Sequence, residues 1–347
     1  MVQKRGVVGA LILAAVVVVS GCREEASEEF QVSDAILALP AEVQVAVRTE
    51  LRKYTGSFAE PKLLGNDSVS IEHLRAGQAV YQEQCAQCHG TTGDGAGPVG
   101  NLLYPRPRDY RRGIFKFTST HYGSKPLRSD LVRTVKRGVH GTAMPAFKLL
   151  PEEDIQAVID YVLVLTHRGE LEEQIAVIAD ADGEVDSELV AEDLVPLILE
   201  RWGNARENII VAATPEPEFD VERARLGKQA FLEKGCSKCH GDDGRAQTAE
   251  DPTKEDAWGN ITRPADLTSG MLRGGREPMD VYRRIYGGIN GTAMPAFNQV
   301  LSEEPDKVWD MVAYVLYITD RRRDGEAPDP GFLRPYLPEE SSSAGGQ

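Results

Sequence analysis

The chain has 347 residues, of which 41% are hydrophobic, and a formal net charge of −15 at pH 7. Its length predicts about two domains, and its acidity argues against nucleic acid as a partner. Residues 70–168 include 13 basic and 9 acidic residues, residues 169–220 include 2 basic and 15 acidic residues, and residues 221–321 include 14 basic and 16 acidic residues. Most of the acidity therefore lies in a middle segment between two nearly balanced ones.

Residues 1–22 are predicted to be a lipoprotein signal peptide. A basic start precedes an uncharged, mostly apolar run over residues 6–19, which is short for a membrane span and suits a signal-peptide core. The run ends in Val19-Ser20-Gly21-Cys22, which resembles the bacterial lipobox and makes Cys22 the lipidated first residue of the mature protein. The alternative is an uncleaved anchor helix. Both place the rest of the chain outside the cytoplasm, held at the periplasmic side of a membrane.

Residues 23–69 are predicted to form a tether followed by short helices. The first dozen residues are rich in Glu and Ser, which favours a flexible segment. Residues 35–54 carry apolar side chains at mixed spacing, interrupted by Pro40, which predicts one or two short helices.

Residues 70–167 form the first of two similar units. A helix is predicted from Ile71 to about Gln84, with Ser70 as its N-cap. Further helices are expected over residues 129–137 and 151–167.

Cys85-Ala86-Gln87-Cys88-His89 follows the first helix and is the attachment signature of c-type haem. Cys85 and Cys88 can each bond one vinyl group of a porphyrin, and His89 is then held under the iron as an axial ligand. A Cys-x-x-Cys pair alone would also fit a thioredoxin-like redox pair or half a zinc site. The histidine directly after the pair favours haem.

Residues 221–321 repeat the first unit, which predicts two copies of one domain. Cys236-Ser237-Lys238-Cys239-His240 repeats the haem motif, and the block Gly291–Phe297 repeats Gly141–Phe147 letter for letter. Four of the five cysteines lie in the two motifs, so none is left for a disulfide. Two covalently bound haem c groups are therefore predicted, through Cys85, Cys88, Cys236 and Cys239, with His89 and His240 on the irons.

Met144 and Met294 are predicted to be the second axial ligands, since they hold the same place in the repeated block. A glycine before and a proline after each methionine are typical of a fixed loop. The alternatives are that each methionine packs in a core, or that His140 binds the first iron. The second unit has Asn290 at that place, so a histidine there is not shared.

Several other side chains of the two units are assigned by their place in the repeat. Gly77 and Gly227 are expected to let the first and last helices of each unit cross closely. Three arginines are candidate contacts of the haem propionates, with plain surface positions as the alternative: Arg106, Arg108 and Arg263. Three histidines without a counterpart in the repeat are expected on the surface: His73, His121 and His167.

The segment 168–220 is predicted to be an acidic, partly helical linker. Apolar residues at helical spacing over residues 187–202 favour a helix, which Pro196 interrupts. The acidity fits either a solvated spacer or a docking surface for a basic redox partner. Residues 322–347 are expected to be a disordered tail.

On the two haem motifs and their paired methionines, the chain resembles the bacterial tandem dihaem c-type cytochromes, built from class I cytochrome c domains. The resemblance covers residues 70–167 and 221–321. It implies an all-α fold and electron transfer by two His/Met haems in a respiratory chain. It also implies redox partners such as a terminal oxidase, or an oxidoreductase that oxidises quinol or an inorganic donor. In that family a proline carbonyl accepts a hydrogen bond from the axial imidazole, and Pro98 fits this role, whereas the second unit has no proline before Pro252.

These features predict an exported, lipid-anchored electron carrier that turns over no substrate. One alternative is a dihaem peroxidase, against which the symmetric methionines argue, because a peroxidatic haem needs an open coordination site. Another is a fixed cytochrome subunit of a larger respiratory complex. The positive charge of the first unit further predicts a docking face for an acidic partner at Lys116, Lys125 and Lys136.

Overall fold

The structure, a computed structural model, describes residues 28–323. The predictions for the signal peptide, for Cys22 and for the tail beyond residue 323 lie outside the described residues. In chain order the α-helices are α1 (Asp34–Leu37), α2 (Ala41–Thr55), α3 (Ile71–Gln84), α4 (Ala86–His89), α5 (Arg128–Arg137), α6 (Glu152–Asp182), α7 (Ser187–Leu189), α8 (Val195–Gly203), α9 (Val221–Glu233), α10 (Ser237–His240), α11 (Pro278–Gly287), α12 (Asn298–Leu301) and α13 (Asp306–Arg323).

Strands contribute little to this architecture. The strands β1 (Lys254–Glu255) and β2 (Ile261–Thr262) pair antiparallel in one short hairpin. Two 3-10 turns lie at Gly100–Leu102 and Asn204–Arg206, and a π-helical turn lies at Val190–Leu194. The predicted all-α fold class is confirmed. Within residues 28–323, none of the helices is long and apolar enough to cross a membrane.

Each repeated unit is built on a close crossing of its first and last helices, α3 with α6 and α9 with α13. A Cβ atom on Gly77 would overlap the carbonyl oxygen of Ala157, and one on Gly227 would overlap that of Asp310. Glycine lets two helix backbones touch in this way because it has no side chain. The predicted close crossing is confirmed in both units.

The first helix of each unit begins at a residue that caps it. Ser70 Oγ accepts a hydrogen bond of 3.2 Å from the His73 amide, as predicted, and Asp220 caps α9 by accepting one of 2.7 Å from Arg223. Such caps satisfy amides that have no partner inside the helix. The two helices that lead into the haem motifs therefore begin in the same way.

The last helix of the first unit is longer than predicted. It does not end at His167 but continues to Asp182, where Gly183 at φ 77° ends it. Glycine often follows the end of a helix, so Gly169 suggests in the sequence that the helix ends there. In the structure a side chain at this position would overlap Arg111, so the glycine allows a close contact within the helix. Apolar residues continue along one face of the helix beyond it: Leu171, Ile175, Ala176 and Ala179.

The N-terminal helices and the acidic segment pack together around this extension of α6. They share one apolar core, whose buried members include Ile36, Val43, Val47, Leu51, Leu171, Ile175, Val190, Leu194 and Ile198. Pro196 lies in the first turn of α8, directly after the π-helical turn, so the helical run from Ser187 to Gly203 continues through it with a local change of helix type. Much of segment 168–220 is thus folded and helical, while the proposed domain boundaries stay predictions.

The two repeated units contact each other directly. Arg137 Nη1 lies 2.9 Å from Asp280 Oδ2, and the Gly123 amide donates to Asn290 Oδ1 at 2.8 Å. Arg284 donates to the carbonyl oxygen of Thr118. The end of the segment 168–220 also contacts the first unit, because the Ile210 amide donates to the Ser119 carbonyl at 2.8 Å. Asn290, the counterpart of His140, thus makes a hydrogen bond between the units.

His167 is buried, not on the surface as predicted. Its side chain is 6% exposed, and its ring packs edge-on against Trp202 with the centroids 4.8 Å apart. Neither ring nitrogen has a hydrogen-bond partner among the described residues. Burial, and to a lesser degree Lys125, lowers the pKa of His167 to about 3. The imidazole is therefore neutral in the folded protein down to acidic pH.

We expect His167→Leu to make the protein less sensitive to acid. Because the folded pKa lies below that of the unfolded chain, the wild type loses stability as pH falls from about 6.5 towards 3. The variant lacks this loss, and removal of two unpartnered polar atoms adds about 1–3 kcal/mol of stability. Denaturant unfolding at neutral pH and at pH about 4.5 measures both effects. His140→Leu, at an exposed position, is the control, and equal acid sensitivity of the His167→Leu protein and the wild type would contradict the prediction.

Two candidate haem sites

Both haem motifs form a one-turn helix directly after the first helix of their unit. In α4 the Cys88 amide donates to the Cys85 carbonyl at 3.1 Å, and in α10 the Cys239 amide donates to the Cys236 carbonyl at 3.3 Å. All four thiols are free. Within the described part of the chain, no group of three or more His, Cys, Asp or Glu could hold a metal ion. The cysteines are thus available for thioether bonds, and the zinc alternative has no support.

The thiols do not have the character of a redox pair. Burial raises the pKa of Cys85 to about 12 and that of Cys236 to about 11. Reactive cysteines of thioredoxin-like pairs have lowered pKa values instead. The raised values fit cysteines that line an apolar pocket, and Cys85 and Cys236 do pack against the apolar cores of their units.

The two motif histidines are held in the same way. His89 Nδ1 donates to the carbonyl oxygen of Arg108 at 3.0 Å, and His240 Nδ1 donates to that of Ala265 at 3.0 Å. Arg108 and Ala265 take the same place in the repeat, and burial lowers the pKa of both histidines. Each ring therefore stays neutral and keeps Nε2 for an iron. The predicted role of the Pro98 carbonyl is wrong, and the second histidine has a partner equivalent to the first.

Around these histidines the two sites differ in polarity. In the first site the Tyr110 hydroxyl donates to the Tyr81 hydroxyl at 2.5 Å, and Tyr81 donates to the Gly90 carbonyl at 2.7 Å. Phe231 and Leu267 hold the matching places in the second site. Hydroxyl groups therefore tie the loop after the first motif to α3, whereas the second site relies on apolar packing.

The blocks that carry the methionines form the same fixed loop in both units. The Val139 amide donates to the Met144 carbonyl at 3.1 Å, and the Ile289 amide donates to the Met294 carbonyl at 3.2 Å. A threonine two residues before each methionine accepts from the methionine amide at 3.2 Å. The predicted fixed loop is confirmed, and the thioethers as iron ligands stay a prediction. His140, the competing ligand, is exposed.

A cluster between the two units fits the carboxylates of haem. Asp256 Oδ2 lies 3.7 Å from Arg108 Nη1 and 3.9 Å from Lys116 Nζ, so two largely buried cations share one carboxylate. Trp258 Nε1 is buried and has no hydrogen-bond partner among residues 28–323. Burial, with the nearby Arg108, lowers the pKa of Lys116 to about 8. Two buried cations and an unused indole N–H favour the binding of an anion. The two propionate groups of a haem are anions of this kind.

Of the three arginines predicted to contact propionates, Arg108 is charge-paired within this cluster, and Arg106 lines the same cavity. Arg106 and Arg263 are exposed, and Arg106 donates to Asn101. The sequence interpretation missed Lys116, Asp256 and Trp258. The one available signal was spacing, because 19 residues separate His89 from Arg108 but 25 separate His240 from Ala265. The six extra residues belong to the segment that carries β1, β2 and Trp258.

The basic docking face predicted for the first unit does not hold for Lys116 and Lys125, whose side chains are mostly buried. The side chain of Lys116 is 19% exposed and faces Asp256, and that of Lys125 is 12% exposed and paired with Glu170. Lys136 lies 2.6 Å from Glu152. Charges already paired within the protein leave little for an acidic partner to recognise.

Comparisons with known proteins agree with this geometry. The family model described as cytochrome C oxidase, cbb3-type, subunit III matches residues 72–162, and the cytochrome c model matches residues 224–319. None of the curated proteins compared with the chain matches it. Among solved structures, the chain is similar to one from the Kuenenia stuttgartiensis reducing HAO-like protein complex Kustc0457/Kustc0458. The two are 30% identical with a TM-score of 0.55, over 70% of this chain and 95% of that chain.

Each match falls on one of the repeated units, and each unit holds a complete attachment motif, a fixed histidine and a methionine loop. Haem c bound through such motifs carries single electrons. The chain therefore belongs to the c-type cytochromes and is a dihaem electron-transfer protein, with two cytochrome c domains in tandem and two covalently bound haem c groups.

Proposed function

We propose that this cytochrome is an exported, lipid-anchored carrier that moves electrons in a respiratory chain through two His/Met haems. The observation that carries the proposal is shared by the two sites: each has a histidine hydrogen-bonded to a backbone carbonyl and a methionine in a loop with the same hydrogen bonds. The haem iron supplies one-electron ferric–ferrous chemistry when bound. A site closed on both faces can change oxidation state without binding a substrate.

The chain's own residues attach, orient and enclose each group. Thioether bonds are proposed at Cys85 and Cys88 in the first site and at Cys236 and Cys239 in the second. The carbonyl oxygens of Arg108 and Ala265 hold the imidazoles with Nε2 free. Met144 and Met294 are proposed to close the opposite faces. A dihaem peroxidase needs one haem with an open coordination site, so the methionine loop of that site should differ from the other. The two loops here have the same hydrogen bonds, which argues against the peroxidase.

A second candidate is a fixed cytochrome subunit of a larger redox complex. The similarity to a chain of a named protein complex supports it, as does the match to a family described as an oxidase subunit. The partners proposed for either role are a terminal oxidase or an oxidoreductase for quinol or an inorganic donor. Purification from membranes in mild detergent separates the two roles. A stoichiometric complex that survives salt indicates a subunit, and a lone cytochrome that exchanges electrons with isolated complexes indicates a carrier.

The membrane anchor has its own test. We expect Cys22→Ala to abolish lipid labelling and to change the N-terminus of the protein while both haems remain bound. A lipid with several acyl chains on Cys22 would hold the protein on the membrane far more firmly than a single acyl chain could. Mass spectrometry of the wild-type N-terminus is the direct measurement. A wild-type chain that begins at Met1 would show an uncleaved helix, and a soluble wild type that begins well beyond Cys22 would overturn the anchor.

A further inference from the structure

The segments that carry the proposed iron ligands of both domains meet at the domain interface. In the second domain, a Cβ atom on Gly291 would lie 2.5 Å from Trp258 Cζ3 and 3.1 Å from Ile114 of the first domain. In the first domain, a Cβ atom on Gly141 would lie 3.4 Å from the sulfur of Met271 in the second. Each glycine is three residues before its methionine. Both methionine loops therefore lie against the other domain or against a residue that bridges to it.

Trp258 is the residue that bridges to the first haem site. The guanidinium carbon of Arg108 lies 3.5 Å from the centroid of its ring, which is close cation–π stacking. The backbone carbonyl of the same Arg108 accepts the hydrogen bond from His89. One residue thus contacts the proposed axial ligand of the first iron with its backbone and Trp258 with its side chain.

On its other face Trp258 reaches the methionine loop of its own domain. The ring packs against Gly291, and the neighbouring Ala257 amide donates to the Gly291 carbonyl at 3.0 Å. The segment is also tied to the first domain, because Arg112 Nη1 donates to the Ala257 carbonyl at 2.8 Å. An unbroken line of contacts therefore runs from His89 through Arg108, Trp258 and Gly291 towards Met294.

We propose that Trp258 is a positioning residue that couples the two haem sites and sets the rate of electron exchange between them. In that exchange one electron leaves the ferrous iron of one site and reduces the ferric iron of the other, and no bond is made or broken. Electron tunnelling slows steeply with distance and is faster through packed atoms than through gaps. A ring clamped between Arg108 and Gly291 fixes the spacing of the two ligand-bearing segments through direct contacts on both of its faces.

The proposal rests on electron transfer as the function and is tested on the holoprotein. We expect Trp258→Leu to slow exchange between the haems by about tenfold or more, since small displacements of reacting groups have effects of that size. Trp258→Phe keeps a ring in the clamp and should retain most of the rate. Arg108→Gln keeps the carbonyl that holds His89 but removes the stacked guanidinium. Its exchange rate should lie between those of the Trp258→Leu and Trp258→Phe proteins. The rate is read from NMR exchange between haem methyl signals in half-reduced protein, at several protein concentrations to isolate the intramolecular part.

Two further measurements separate positioning from general damage. The midpoint potentials of both haems are measured in each variant, because Trp258 also belongs to the cluster that fits the propionates. The slower exchange in Trp258→Leu should exceed what any change in potential accounts for, while the signal of the axial methionine methyl group in the second domain shifts. Trp202→Phe removes a tryptophan that packs outside the domain interface and should leave the exchange rate unchanged. An unchanged rate in Trp258→Leu, an equal loss in Trp202→Phe, or a loss explained by altered potentials overturns the proposal. Failure of the wild type to carry electrons at all would overturn the proposed function instead.

Discussion

The double variant Cys85→Ala/Cys88→Ala should carry one covalently bound haem instead of two. Each haem c depends on the thioether bonds of its own motif, and the two motifs lie in separate domains with separate apolar cores. Any haem that still enters the first site is held by non-covalent contacts and is removed by acid–acetone. A pyridine haemochrome assay per chain, before and after that extraction, measures the effect.

The matched variant is Cys236→Ala/Cys239→Ala, which should lose the second haem and keep the first. The two variants together test whether the domains load independently. Two haems that resist extraction in either variant would show that the motif does not attach haem.

Features set by local spacing were predictable from the sequence. The haem motifs, the capped helix from Ile71 and the close crossings at Gly77 and Gly227 each depend on residues a few positions apart, or on the repeat itself. The methionine loops belong to the same class, since a repeated block with glycine and proline specifies its own turns. The structure has all of these features where the sequence placed them.

Features set by distant contacts were not predictable. His167 is buried by Trp202, which lies on another helix, and nothing near His167 in the sequence marks that partner. The carbonyl that holds His89 belongs to Arg108, a backbone group whose identity no side chain reveals. Gly169 lies within α6 because Arg111 leaves no room for a side chain there, and the helix continues because its later residues are buried in the shared apolar core.

The charged residues show the same limit. Lys116 adds to the positive charge of the first unit in any count along the sequence, yet it faces Asp256 of the second unit in a mostly buried cluster. Net charge predicts long-range attraction when the charges are exposed. Where charges serve an interface within the chain, the count overstates what a partner can recognise. Electrostatic docking must therefore be argued from exposed residues of the folded protein.

Replacing either loop methionine should open one iron to an external ligand. The hydrogen bonds that shape each loop involve the backbone of Met144 and Met294, so an alanine keeps the loop while removing the thioether. We expect the reduced Met144→Ala and Met294→Ala proteins each to bind carbon monoxide at one haem, where the wild type binds little. The midpoint potential of that haem should fall, because a thioether ligand stabilises the reduced state.

Carbon monoxide titration and redox titration of the same samples measure both effects, and His140→Ala is the control at the first site. His140 is exposed, so its removal should change neither the spectrum nor the potential. If Met144→Ala leaves the ligand-field spectrum unchanged and His140→Ala alters it, then the histidine is the ligand and the first site differs from the second. The Met294→Ala result then shows whether methionine ligation fails at both sites or at the first site alone. In the second domain no histidine can replace the methionine at that place, because Asn290 stands where the first domain has His140 and is held by the Gly123 amide. A second site that opens while the first does not would confine the error to the first domain.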